Sequence, residues 1–98
     1  MNTNSRFIDD YINGLVLLED IDNYVDYWHN HNTNCSLREY LGFTVVEFNA
    51  WCDFDNDSDV VLENIITARE LNMTYEEYIN EFYDGSELKK YEEINIEY

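Results

Sequence analysis

Apolar residues recur at intervals of three and four along most of the chain, the spacing of helices that bury one face. Phe7, Ile8, Tyr11 and Ile12 make the first such stripe and predict a helix over residues 4–13, with Gly14 as its C-terminal cap. A second helix is predicted over residues 18–30. It carries Ile21, Tyr24, Val25 and Trp28 on one face, and Glu19, Asp20 and Asp22 sit near its start, where carboxylates favour the helix dipole. The polar run HNHNTN from His29 breaks the period and reads as a loop.

After this loop the helix starts are written in capping chemistry. Ser36 with Glu39, Thr44 with Glu47 and Thr74 with Glu77 each have the capping-box spacing, in which a hydroxyl accepts from the N3 amide and a carboxylate reaches back to the cap amide. Phe43 with Phe48, and Met73 with Tyr78, stand where a hydrophobic staple would flank the second and third boxes. Leu37, Tyr40 and Leu41 form a short inward face ended by Gly42, and Trp51 follows one turn after Phe48. An acidic link, DFDNDSD over residues 53–59, leads to a longer helix through Val60, Val61, Leu62, Ile65, Ile66, Ala68 and Leu71, with Asn72 at its end. The third box then opens a helix carrying Ile79 and Phe82, and Gly85 with Ser86 forms the next stop and start.

LGFTVVEF from Leu41 and LNMTYEEY from Leu71 echo one another at a spacing of thirty residues, which reads as two similar helix-turn-helix corners rather than a solenoid. The tail stays open: its last residues alternate as in an edge strand, while Tyr91 and Ile94 equally suit a short helix. The pattern as a whole predicts an all-α fold, a compact bundle of five to six short helices with capped corners. It forms one domain over residues 1–98, with Trp28, Leu41, Trp51, Ile65 and Phe82 in one core.

Charge changes this picture most. Five basic residues against twenty-two acidic ones give a formal charge of -17 on 98 residues, where solubility alone asks for a magnitude of roughly 2–8. Divided after residues 35 and 71, the chain carries -5, -6 and -6, so the excess is spread throughout and is not an acidic tail. No stretch has the roughly 20 apolar residues of a membrane span, and the start, MNTNSRFIDDY, lacks the plan of a signal peptide; a cytoplasmic location in a bacterial host is expected. Cys35 and Cys52 are too few for a disulfide framework and read as thiols.

The corner from Leu37 to Trp51 has the outline of a DNA-binding helix-turn-helix, yet its second helix carries Glu47 and runs into four aspartates. A groove reader needs Lys and Arg for phosphates, so direct nucleic-acid binding is not expected. Asp53, Asp55, Asp57 and Asp59 imitate the start of a calcium loop, but Ser58 and Asn64 stand where that loop requires Gly and Glu. His29, His31, Cys35 and Cys52 lack a Cys-x-x-Cys pair and make a weak zinc set. No metal, no cofactor and no catalytic residue is assigned, and an enzyme is not expected.

The stretches EDIDNYVDYWHN and SLREYLGFTVVEFNAWC resemble a group of small acidic helical proteins of low-GC Gram-positive bacteria and their phages and mobile elements. The resemblance spans about residues 7–70 and is most specific at the Leu-Gly-x-Thr-x-x-Glu-aromatic-x-x-Trp corner. It implies genomic company rather than a chemistry, and residues 72–98 lie beyond it as a C-terminal extension.

Acidic side chains three or four residues apart on a helix lie about 5–6 Å from one another, near the spacing of phosphates, as in Asp22 with Asp26 or Glu77 with Glu81. Such a surface fits a basic cleft. The expected function is therefore an acidic inhibitor of a nucleic-acid-binding or cleaving protein, of the anti-CRISPR or anti-restriction kind, working by nucleic-acid mimicry or occlusion. An antitoxin or immunity protein neutralising a basic toxin, and a helical adaptor in a phage or host assembly, remain open beside it. The expected partner is a basic protein, a nuclease or another nucleic-acid-binding protein, with neither nucleic acid nor a membrane bound directly. Expected contact residues are Asp53, Asp55, Asp57 and Asp59 in the link and Glu76, Glu77, Glu81 and Asp84 near the C-terminus, with Tyr75 and Tyr83 as exposed aromatic anchors.

Overall fold

A computed structural model of the chain describes residues 6–86 and 88–93, and their contacts divide into two compact units, with the division between Phe43 and Thr44. Among the described residues all regular structure is helical: α1 Phe7–Ile12, a 3₁₀ turn Leu18–Asp20, α2 Ile21–Asn30 and α3 Leu37–Leu41 in the first unit, then α4 Val45–Cys52, α5 Ser58–Glu70, α6 Tyr75–Phe82 and α7 Leu88–Glu93 in the second. No described helix is long and apolar enough to cross a membrane. The expected start of the first helix at residue 4, and Ile94 of the tail, lie outside the described residues.

In the first unit α1 and α2 both pack on α3. Phe7, Ile8 and Leu41 are fully buried, and Phe7 meets Tyr24 edge-on at 5.3 Å between ring centroids. A polar contact sits in this core: the Tyr24 hydroxyl donates to the Asp10 carboxylate, both groups being buried. Burial, and then that bond, hold the Tyr24 phenol far above its usual range. The helix expected over residues 18–30 opens as a 3₁₀ turn because Asp20 accepts from the Leu17 amide at 2.7 Å and from the Asn23 side chain at 3.2 Å, which tightens the entry. Trp28 is half-buried; its indole N–H donates to the Cys35 carbonyl at 2.8 Å, so the ring stays at the margin of the core where that partner is.

In the second unit α4 packs on α5, α6 and α7, and α5 on α6. Both expected boxes close: Thr44 and Glu47 exchange bonds of 2.8 and 3.2 Å, Thr74 and Glu77 two of 3.0 Å. The box at Ser36 is half made, since Ser36 caps the Glu39 amide but Glu39 accepts from the Ser36 hydroxyl instead of its backbone. The thirty-residue echo is conformational as well. Gly42 and Asn72 are both left-handed, at φ 85 and 58, and the following Phe43 and Met73 amides reach back five residues to Arg38 and Ala68 at 3.1 and 2.9 Å. A side chain at Gly42 would also approach the Arg6 Cβ to 3.1 Å, whereas Asn tolerates the same backbone at position 72.

In the described part of the tail, Leu88 and Tyr91, one turn apart on α7, are both buried, while the last residues, on which the edge-strand alternative falls, lie outside the described residues. Of the five residues expected in one core, Leu41 of the first unit and Ile65 of the second are fully buried, while Trp28 and Trp51 are half-buried. Phe82 is not a core residue. It closes α6, is 58% exposed, and lies with its ring 5.1 Å from that of Tyr78. Tyr75, Tyr78 and Ile79 already fill the buried face of that helix.

Candidate protein-binding surface

The acidic link is a built turn. Its Asp53 carboxylate accepts from the Asp55 amide at 3.0 Å, and the Asn56 amide donates back to the Asp53 carbonyl at 3.0 Å. The Asn56 side chain donates to the Ala50 carbonyl and to the Tyr91 hydroxyl, at 3.0 and 2.8 Å. Tyr91 in turn donates to Asp53 at 2.8 Å, and the Lys90 ammonium stands 3.0 Å from the same carboxylate oxygen. Helix α7 thus holds the turn from one side and the end of α4 from the other. Phe54, at its tip, is fully exposed.

Asp53, expected from the sequence to be an exposed contact residue, is instead the internal fastening of the turn. The Asp55 amide first, then Tyr91 and Lys90, hold its carboxyl down to about 2. Because the folded value lies below the ordinary 3.8, its contribution to the fold is complete above that value and is lost as the pH falls toward about 2. In a carbon-detected NMR titration the Asp53 carboxyl should therefore change charge below pH 3, and Tyr91→Phe should move the midpoint upward. A wild-type midpoint near 4 would show that the turn is not fastened in this way.

The remaining acids differ in how free they are. Asp57 caps α5, its Oδ1 accepting from the Asp59 and Val60 amides at 3.0 and 3.4 Å. Asp55 and Asp59 are exposed. Glu77 is exposed but committed to its box, which keeps its carboxyl below the usual range, and Glu76 is half-buried. Glu81 and Asp84 are exposed, Asp84 accepting from the Ser86 amide at 3.0 Å, and Tyr83 is 58% exposed.

Tyr75 corrects the sequence reading outright. It is 6% exposed, so it cannot serve as a surface anchor, and burial pushes its phenol up to about 12. As the first residue of α6 it shares the inner face with Tyr78 and Ile79, at the i, i+3, i+4 spacing. The exposed aromatic that sequence reasoning passed over is Phe54. Its only signal is a lone aromatic among acids, with Asp57 and Ser58 at the positions one helical turn onward.

Between α5, α6 and α7 the second unit has a groove of about 270 Å³ that brings Asp57 of the link together with Tyr83 and Asp84. A second cleft, of about 380 Å³, is bordered by Thr44, Glu47, Arg69, Thr74 and Glu77. Thr44, Glu47, Thr74 and Glu77 are engaged in the two boxes, and the buried Glu47 also pairs with Arg69 at 2.6 Å. Among the described residues no cluster of three or more His, Cys, Asp or Glu is disposed to hold a metal. Within the link, Asp53 and Asp57 each turn a carboxylate oxygen onto the backbone amides of the chain itself. No protein-family model matches the chain, and no curated protein or solved structure is significantly similar to it.

Proposed function

We propose that this chain is a protein-binding inhibitor that occupies, or blocks access to, the nucleic-acid site of a basic protein such as a nuclease. The observation carrying this reading is the fastened turn at residues 53–56, which displays a fully exposed Phe54 beside the exposed carboxylate of Asp55. An exposed phenylalanine on a pinned turn contributes nothing to its own core, whereas burying such a side chain in a partner stabilises a complex by about 1.5–3 kcal/mol. Holding it in place beforehand lowers the entropic cost of binding. The surrounding negative charge selects a positive partner surface and speeds encounter with it, and a net charge of -17 opposes any approach to phosphate.

The test begins with affinity capture of the tagged chain from its native host and continues with competition, the chain and a nucleic acid being offered together to the purified partner. Mutual exclusion is expected. Phe54→Ala should speed dissociation with little change in salt dependence, while Asp55→Lys with Asp59→Lys should slow association at low salt. Simultaneous binding of chain and nucleic acid at undiminished affinity would overturn inhibition. The adaptor reading would then stand ahead of it, favoured by the apolar stretch of the first unit, where Ile12, Leu15 and Leu17 are 48, 71 and 63% exposed.

A further inference from the structure

The groove of the second unit joins core residues to exposed ones that the reading of Phe54 and Asp55 does not use. Its floor is apolar and already closed to water: Val61, Tyr75, Ile79, Leu88 and Tyr91 are between 4 and 8% exposed. Its walls are apolar and open, with Val60 48% and Tyr83 58% exposed. The charged residues in its lining are Asp57 and Asp84, and Asn56 and Asn64 add neutral polar groups.

The two carboxylates are oriented before anything binds. Asp57 uses Oδ1 to cap α5, and Asp84 uses Oδ1 to accept from the Ser86 amide. Each side chain thereby has one oxygen tied to the backbone, and among the described residues its second oxygen has no protein donor. A lysine or arginine arriving at the margin meets an acceptor whose side chain is already partly restrained.

Size limits the occupant. At about 270 Å³ the groove lies just under the roughly 300–1,000 Å³ of small-molecule pockets. That volume is small for the row of anchors at i, i+4 and i+7 that an amphipathic helix lays into a groove. It has room for one or two large apolar side chains. A second copy of this chain is a poor occupant, because each copy brings a charge of -17.

We propose that this groove docks a short segment of a partner protein in which a leucine-, isoleucine-, methionine- or phenylalanine-sized side chain is flanked by lysine or arginine. The apolar side chain lies over Ile79 and Val61 between Val60 and Tyr83, and the flanking cations meet Asp57 and Asp84. The inference rests on the preceding reading only in taking the partner to be a basic protein.

The test uses the full chain, immobilised, and a phage-displayed library of random twelve-residue peptides as probe. Val60→Asp and Asp84→Lys serve as counter-targets, both positions being exposed. Selected peptides should carry an apolar side chain beside Lys or Arg. Synthetic copies should bind Val60→Asp about tenfold or more weakly at every salt concentration, and Asp84→Lys about tenfold more weakly at low salt with a smaller difference at high salt. Methyl NMR of the wild-type chain supplies a readout that does not depend on the variants, since bound peptide should shift Val60, Val61 and Ile79. Failure to select any peptide that prefers the wild type, selection of acidic peptides, or shifts confined to other methyls would overturn the proposal. Groove binding that disappears in Val60→Asp, together with a partner that binds chain and nucleic acid at once, would leave the groove standing and remove only the inhibitor.

Discussion

Glu47→Ala should destabilise the second unit by about 3 kcal/mol, at the lower end of the cost of breaking a buried ion pair. Glu47 is 1% exposed and does two jobs with one oxygen: Oε1 accepts from the Thr44 amide at 2.8 Å and faces the Arg69 guanidinium at 2.6 Å. Alanine removes the N3 half of the capping box and takes the carboxylate from a cation whose side chain is 28% exposed. That remaining contact with water is why the lower end of the range applies. Glu47→Gln keeps an acceptor for the Thr44 amide but still removes the charge facing Arg69, and should cost about 2 kcal/mol, the share of a hydrogen bond to a charged group. Urea unfolding of the three proteins separates the outcomes, and equal midpoints for wild type and Glu47→Ala would show that the pair is energetically idle.

Ile65→Ala should cost about 2–5 kcal/mol, while Phe82→Ala, which removes more atoms, should cost less than about 1 kcal/mol. Ile65 is 0% exposed in the middle of the thirteen-residue α5, so its deletion leaves a cavity that neighbouring helices close only in part. Phe82 is 58% exposed at the end of α6 and loses little beyond its ring contact with Tyr78. Thermal melts of the two variants, read beside the wild type, check the contrast. A loss for Phe82→Ala as large as that for Ile65→Ala would place Phe82 in the core after all.

Both predictions turn on positions where sequence reasoning met its limit. Helix period marked Ile65 and Phe82 alike as apolar residues on inward stripes. A stripe states which side of a helix is apolar but not where along it the neighbouring helix stops. Tyr75 failed in the complementary way. A tyrosine just after a cap suits an exposed anchor as well as a core position, and it is buried because α6 packs on α4 and α5.

Charge shows the same division. The acidic excess and its spread along the chain belong to the sequence, and no folding changes them. Which carboxylates remain available to a partner does not follow from them. Asp53 and Asp55 stand two residues apart in a uniform acidic run. Yet Asp53 is fastened to Tyr91 and Lys90, thirty-eight and thirty-seven residues onward, while Asp55 stays in solvent. The groove holding Asp57, Tyr83 and Asp84 likewise gathers residues from α5, α6 and α7 that no local spacing connects.

What the sequence determined by itself was whatever depends on neighbours within about five residues. The helical class follows from the three-and-four periodicity, and the caps at Ser36, Thr44 and Thr74 follow from hydroxyl and carboxylate spacing. The left-handed stops at Gly42 and Asn72 follow from the only residue types that adopt that backbone at low cost. Tertiary structure decided the rest: the division of the contacts between Phe43 and Thr44, the burial of Tyr75 and Glu47, the exposure of Phe54 and Phe82, and the fastening of the acidic turn by α7. Those outcomes rest on contacts between residues far apart in the chain. The free energy of such contacts comes from area removed from water and from hydrogen bonds closed across helices, quantities that exist only once the helices have packed.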